Sequence, residues 1–255
     1  MSRPVSPGRV YILGAGPGDP ELLTLRAANV LAKADVVFHD QLVSQEILGM
    51  APRAQLIDVG HRAGGVRRGI ESVARRMAEY ARQGAVVARL KGGDPYVFGR
   101  GAEELRALLD LGVACEVVPG VSSAIAGPAA AGIPLTHRGI AASVVIVTGH
   151  ERDPERGPCW ERLRGDTVVV LMATGRLRDL TARMVAAGWA GTTPAAVIMA
   201  ATTSRQRQVS GSLADIADMT AVAGFGPPAL LVVGEVVSLA RELAPALLAT
   251  VEAAS

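Results

Sequence analysis

Short, wholly apolar runs alternate with helix-period segments along this chain, and that alternation restricts the fold more than any other feature. VYILG (10–14), DVVFHD (35–40), QLIDVG (55–60), AVVARL (85–90) and CEVVPG (115–120) read as strands. Between them lie ELLTLRAANVLAKA (21–34), SQEILGM (44–50), GIESVARRMAEYARQG (69–84) and GAEELRALLDLG (101–112), whose apolar residues recur at helical spacing. A strand without polar alternation is buried on both faces, and strands joined through helices run parallel. The first half is therefore an α/β domain with a mostly parallel sheet. Texture changes between about Gly132 and Ser143, where IPLTHRGIAAS has little periodicity. The pattern then restarts with strands SVVIVTG (143–149), TVVVLM (167–172), AAVIMA (195–200), RQVSGSL (207–213) and PALLVVGEVV (228–237). A polar loop, ERDPERGPCWERLRGD (151–166), and helices LRDLTARMVAAG (177–188) and LADIADMTAVAG (213–224) separate them. Closely spaced late strands imply a mixed sheet. Two α/β domains are expected, residues 1–137 and 138–255.

The 255 residues are 49% hydrophobic and 20% charged, enough for a large core and too apolar for disorder. Aromatics at 3% leave little for stacking on bases, and a net charge of +2 does not suit a general polyanion binder, so no nucleic-acid partner is expected. Arginine dominates the cations, with lysine only at Lys33 and Lys91. Its planar fork suits carboxylates and phosphates, although a codon bias gives the same count. MSRPVSPGRV has no apolar signal region, and no run of about 18 apolar residues is present to span a bilayer. The longest mild stretch, SSAIAGPAAAGIPL, is broken by Gly127, Pro128, Gly132 and Pro134. Cys115 and Cys159 lack metal-ligand spacing and read as reduced thiols of a cytoplasmic protein. His39, His61, His137 and His150 are scattered and form no metal motif.

Glycine clusters fall where the strands end, and ligands of such sheets bind beyond carboxyl ends. GAGPGDP (14–20) resembles a dinucleotide fingerprint but has Asp19 in the place of its third glycine, and Pro17 removes an amide. Gly-Asp-Pro occurs at 18–20 and again at 93–95. Glycine lets another group approach the backbone, so the recurrence suggests two neighbouring strand ends lining one pocket. Arg100 and Glu103, three apart at a helix start, share a face. They read either as a surface ion pair or as substrate contacts.

The series GAGPGDPELLTLRA, DQLVS, VGHRAG, RLKGGDPYVFGRGAEE, VVPGVSSA, AGIPLTHRG, VTGH, ATTSRQRQV and PPALLVVGEVV resembles the uroporphyrinogen-III C-methyltransferases of the tetrapyrrole methylase superfamily, from about Val10 to Leu243. The resemblance implies the two-domain tetrapyrrole methylase fold, with S-adenosylmethionine (SAM) in the cleft between the domains of a homodimer and no metal. It implies two methyl transfers, to rings A and B of uroporphyrinogen III, giving precorrin-2 for sirohaem or cobalamin and S-adenosylhomocysteine. By the same likeness, SAM contacts fall on Pro17, Gly92, Gly93, Asp94, Val97, Ser122, Ser123, Met172 and Ala201. Arg100, Glu103 and Arg138 match substrate-binding residues, and Arg100 and Glu103 are tied to turnover. Asp40 matches a proton acceptor and His61 stands at the position of a proton donor.

The chemistry suits that assignment. A polycarboxylate macrocycle calls for arginines, in-line displacement at a sulfonium methyl is a positioning task, and the methylated pyrrole must lose a proton. The chain departs from the family pattern at Gln41, usually arginine; at His61, usually lysine; at Ala173, usually glycine; and at IMAATT (198–203), where a strand end usually holds an acidic or polar residue. A histidine with a pKa of about 6.5 can still donate a proton. The alternatives are a sibling precorrin methylase, a catalytically inactive relative that binds SAM or a tetrapyrrole, and a nicotinamide-dependent oxidoreductase resting on GAGPG alone.

Overall fold

The computed structural model describes residues 6, 8–60, 69–150, 158–163, 165–240 and 242–243. They form two compact units, Met1–Ser122 and Ser123–Ser255. The first holds five parallel strands in the order β3-β2-β4-β1-β5: β1 (Arg9–Gly14), β2 (Val36–His39), β3 (Gln55–Asp58), β4 (Val86–Lys91) and β5 (Cys115–Val118). Its helices are α1 (Leu25–Leu31), α2 (Gln45–Leu48), α3 (Ile70–Arg82) and α4 (Gly101–Asp110).

Period-two geometry explains why these strands are apolar throughout. Tyr11, Leu13, Val37, Ala88 and Leu90 pack with Ala27, Val30, Leu31, Ile47 and Leu48 of α1 and α2. Val10, Ile12, Val36, Phe38 and Val87 point the other way, onto Val73, Ala74, Met77 and Leu108 of α3 and α4. Each face thus closes its own core. The first helix starts later than its apolar pattern suggests. Asp19 accepts a hydrogen bond from Glu21 N at the start of a 3-10 turn (Pro20–Leu22), and Thr24 Oγ1 accepts one from Ala27 N, capping α1.

The second unit is the expected mixed sheet, ordered β6-β7-β10-β8-β9. Strands β6 (Val144–Thr148) and β7 (Thr167–Leu171) are parallel. Strand β10 (Ala229–Val233) is antiparallel to β7 and to β8 (Pro194–Met199), and β8 pairs antiparallel with β9 (Arg207–Ser212). Leu177, Leu180 and Met184 of α6 (Leu177–Ala186) and Ile216 of α7 (Ile216–Val222) cover one face.

The structure differs from the expected domain boundary and from the expected end of the last strand. SAIAGPAA forms helix α5 (Ser123–Ala130) despite Gly127 and Pro128. A Cβ on Gly127 would meet Leu230 Cδ2 at 2.6 Å, so glycine there lets α5 lie close on β10. Because α5 packs against β7 and β10, the units divide between Ser122 and Ser123 rather than near residue 137. The last strand also ends at Val233, and residues 236–240 turn helical. Residues 151–157 of the polar loop lie outside the described residues.

Candidate active site

Three glycines hold the carboxyl ends of β1, β4 and β5 together. A Cβ on Gly14 would stand 2.4 Å from Gly120 N and 2.6 Å from Gly93 O, and one on Gly120 would stand 2.4 Å from Gly93 O. No side chain fits between these backbones. Gly93 N donates to Gly16 O at 2.7 Å and Gly16 N to Gly93 O at 3.2 Å, so the two Gly-Asp-Pro turns are hydrogen-bonded neighbours. Their aspartates do the same local work: Asp19 Oδ1 accepts from Glu21 N and Asp94 Oδ1 from Tyr96 N, both at 2.8 Å. Asp94 Oδ2 also accepts from Gly120 N at 3.0 Å, tying the β4 loop to the β5 end. Among the expected cofactor residues of this unit, Gly92 is the open one. A Cβ there would meet only Leu42 Cβ, at 3.8 Å. Pro17 and Val97 are half-buried, and Ser122 is buried.

Backbone strain concentrates in the loops that follow β4, β7 and β8. Among the described non-glycine residues, positive φ occurs at Phe98 (54°), Arg100 (59°), Met172 (57°), Ala200 (48°) and Thr202 (65°). They follow β4, β7 and β8 and coincide with, or adjoin, Val97, Arg100, Met172 and Ala201. Left-handed non-glycine residues cost on the order of 1–3 kcal/mol each and cluster at functional loops. The β8 turn is strapped by Gln206, whose Oε1 accepts from Thr202 N at 2.7 Å and whose Nε2 donates to Ala130 O at 2.9 Å. Ala173, where the family has glycine, is fully buried in an ordinary helical conformation. The added methyl therefore enters the core of this unit without strain.

Arg100 and Glu103 do pair: Arg100 Nε donates to Glu103 Oε1 at 3.1 Å, with about half of each side chain exposed. Arg100 is the N-cap residue of α4. Arg138 sits exposed at the tip of a tight turn closed by His137 N to Ala141 O and Ala141 N to His137 O. Asp166 pins that turn's exit by accepting from Ala142 N, Ser143 N and Ser143 Oγ, bonds that hold its carboxyl below the usual pKa. Asp40 follows β2 and is half-buried, while His61 lies outside the described residues. Within the first unit the structure gathers Pro17, Gly92–Asp94 and Ser122 just beyond strand ends and places Arg100 and Glu103 at the start of α4. Ser123, Arg138, Met172 and Ala201 belong to the second unit.

Residue patterns alone missed one group. Arg89 and Lys91, each 4% exposed, face Glu104 of α4, which is 6% exposed. Arg89 Nε donates to Glu104 at 3.1 Å and Lys91 Nζ at 2.9 Å, and Arg89 Nη2 reaches Asp40 Oδ1 at 2.5 Å. Burial alone would lower the pKa of Arg89, but Asp40 and Glu104 outweigh it and raise it above the ordinary value. The available signal was two cations at i and i+2 inside an otherwise apolar strand, which require anions on the same face.

No cluster of three metal-ligating side chains occurs among the described residues, and no described helix is long and apolar enough to cross a membrane.

Known proteins resemble this chain. "Siroheme synthase 2" of Aeromonas hydrophila is 46% identical over 240 residues, 93% of this chain but 51% of that protein, so the chain spans about half the length of that curated relative. The uroporphyrinogen-III C-methyltransferase of Methanocaldococcus jannaschii is 43% identical over 236 residues, 91% of this chain and 98% of that protein. A crystal structure of uroporphyrin-III C-methyl transferase from Thermus thermophilus complexed with S-adenyl homocysteine aligns at a TM-score of 0.78 and 40% identity, covering 91% of this chain and 99% of that one. Residues 9–217 match the Tetrapyrrole (Corrin/Porphyrin) Methylases, and the chain belongs to that family.

Proposed function

We propose that this protein transfers methyl groups from SAM to rings A and B of uroporphyrinogen III, forming precorrin-2 and S-adenosylhomocysteine. The observation that carries the reading is the strand-end junction of Gly14, Gly93 and Gly120, with the open Gly92 and the strained loop to Arg100 beside it. Of these residues, the resemblance assigns Gly92 and Gly93 to SAM and Arg100 to substrate. Similarity to a uroporphyrinogen-III C-methyltransferase over 98% of that protein's length supports the substrate.

The residues fit the cofactor. An exposed glycine whose missing side chain leaves open space can admit a ligand to the backbone. Gly92 and Gly93 would offer it peptide groups; Pro17, Val97, Met172 and Ala201 apolar contact; Ser122 and Ser123 hydroxyls. Asp94 would act chiefly by shaping the loop, since both its oxygens already accept backbone N–H groups. When bound, SAM supplies an electrophilic methyl on sulfur. Each transfer forms one carbon–carbon bond, breaks one carbon–sulfur bond and leaves one proton to be removed from the macrocycle. Asp40 would accept it. Arg100 and Arg138 would hold substrate carboxylates, with Glu103 orienting Arg100. His61 would serve as the proton donor. We also infer a cytoplasmic homodimer, for which sedimentation at the mass of two chains is the expected result.

Oxygen-free incubation with uroporphyrinogen III and SAM tests the activity. A mass gain of two methyl groups is expected. Gain only on a later precorrin would make the chain a sibling methylase, and SAM binding without any gain would make it an inactive relative.

A further inference from the structure

The charge cluster beneath the Arg100 loop has no part in holding SAM or substrate as assigned above. Arg89 and Lys91 leave the same face of β4, and Glu104 receives both. Arg89 is fixed on every side: Nε and Nη2 donate to Glu104, Nη1 donates to Leu90 O at 3.1 Å and Phe38 O at 3.4 Å, and Nη2 also donates to Asp40. Lys91 Nζ stands 3.9 Å from Asp40 Oδ2, so each carboxylate oxygen of Asp40 faces one cation. Asp40 N donates to Leu90 O at 3.2 Å, which fixes its backbone to the same strand, and the His39 ring lies against Asp40 O at 3.2 Å. Side-chain exposure is 5% for Arg89, 5% for Lys91 and 8% for Glu104, against 31% for Asp40. Three buried charges thus direct a fourth that reaches solvent.

A buried ion cluster is a poor device for stability alone, because apolar residues of like volume often serve as well. It is a good device for holding one carboxylate in one orientation. We propose that Glu104 is a positioning residue for the methylation: it anchors Arg89 and Lys91, which aim the Asp40 carboxylate at the proton to be removed. This rests on the reading of Asp40 as proton acceptor. Without the Glu104 charge, both cations turn wholly onto Asp40, draw its oxygens inward and weaken it as a base.

The test compares Asp40→Asn, Glu104→Gln and the double variant in oxygen-free single-turnover and steady-state assays, with SAM affinity by calorimetry and folding by circular dichroism. Asp40→Asn is expected to lower kcat about 100-fold and Glu104→Gln about tenfold. KM for uroporphyrinogen III and SAM affinity should stay within about twofold. In the Asp40→Asn background, Glu104→Gln should cost less than about twofold more, because its effect passes through Asp40. Full tenfold loss in that background, or wild-type kcat for Glu104→Gln alone, overturns the positioning role while leaving Asp40 as acceptor. Wild-type turnover by Asp40→Asn overturns the acceptor reading itself. Should Glu104→Gln not fold, Glu104→Asp, which keeps the charge but withdraws it by one methylene, is read by the same double-variant comparison.

Discussion

Arg100 shows how a single residue can be expensive for the fold and still be present. Its φ of 59° lies in the left-handed region, and its ion pair with Glu103 is half-exposed. An exposed pair returns about 0–1 kcal/mol, less than the strain of a left-handed arginine. Glycine relieves that strain. Arg100→Gly is therefore expected to leave stability unchanged or raised by up to about 1 kcal/mol in urea titrations, while turnover falls at least tenfold. Normal turnover in that variant would remove Arg100 from the substrate site. The neighbouring glycines separate two roles that their sequence does not. Gly93 has φ 65° and exchanges hydrogen bonds with Gly16, so a side chain there disturbs the strand junction itself. Gly92 faces open space. Gly92→Ala should fold normally yet weaken SAM binding about tenfold or more by calorimetry; unchanged affinity would place the cofactor away from it.

Elements begin and end here by side-chain chemistry that hydrophobic period does not see. Apolar spacing carries the first helix back to Glu21, but Asp19 and Thr24 divide that segment into a 3-10 turn and α1. Loss of the Thr24 cap leaves Ala27 N without its acceptor. Thr24→Ala should cost about 1 kcal/mol in urea titration, with little change in the denaturant slope. An unchanged midpoint would show that the cap contributes nothing. In the other direction, α5 forms where glycine and proline argue against a helix, because Gly127 admits Leu230 and the contact outweighs the poor propensity.

At the scale of the whole molecule, each unit closes a separate core, and titration of a partly buried thiol reports on the first. Burial, only partly offset by hydrogen bonding at Glu116 and the charge of Arg9, pushes the Cys115 thiol from an ordinary 9.0 up to about 12. The folded state therefore retains a proton that the unfolded chain releases. This contribution to stability is fully present below about pH 9 and is lost as pH rises from there toward 12. Cys115→Ala should flatten that alkaline decline in a pH series of urea midpoints. An identical slope in both proteins would show that the thiol does not titrate as its burial requires. Cys159, which is exposed, should react with a thiol reagent at pH 8 well before Cys115 does.

The strand–helix alternation, the parallel and mixed sheets, the glycine turns and the family are all readable from the residues in order, because period, turn chemistry and motif strings are local properties of the chain. RLKGGDPYVFGRG was legible in this sense before any strand was paired. It took the folded chain to show that Gly16 meets Gly93, that α5 joins the second unit, and that Glu104 rather than its neighbour Glu103 turns inward. Those outcomes depend on partners such as Asp40 and Arg89, 49 residues apart. Which of two adjacent carboxylates is buried is settled by where the opposing cations lie, and a linear string of residues does not contain that distance.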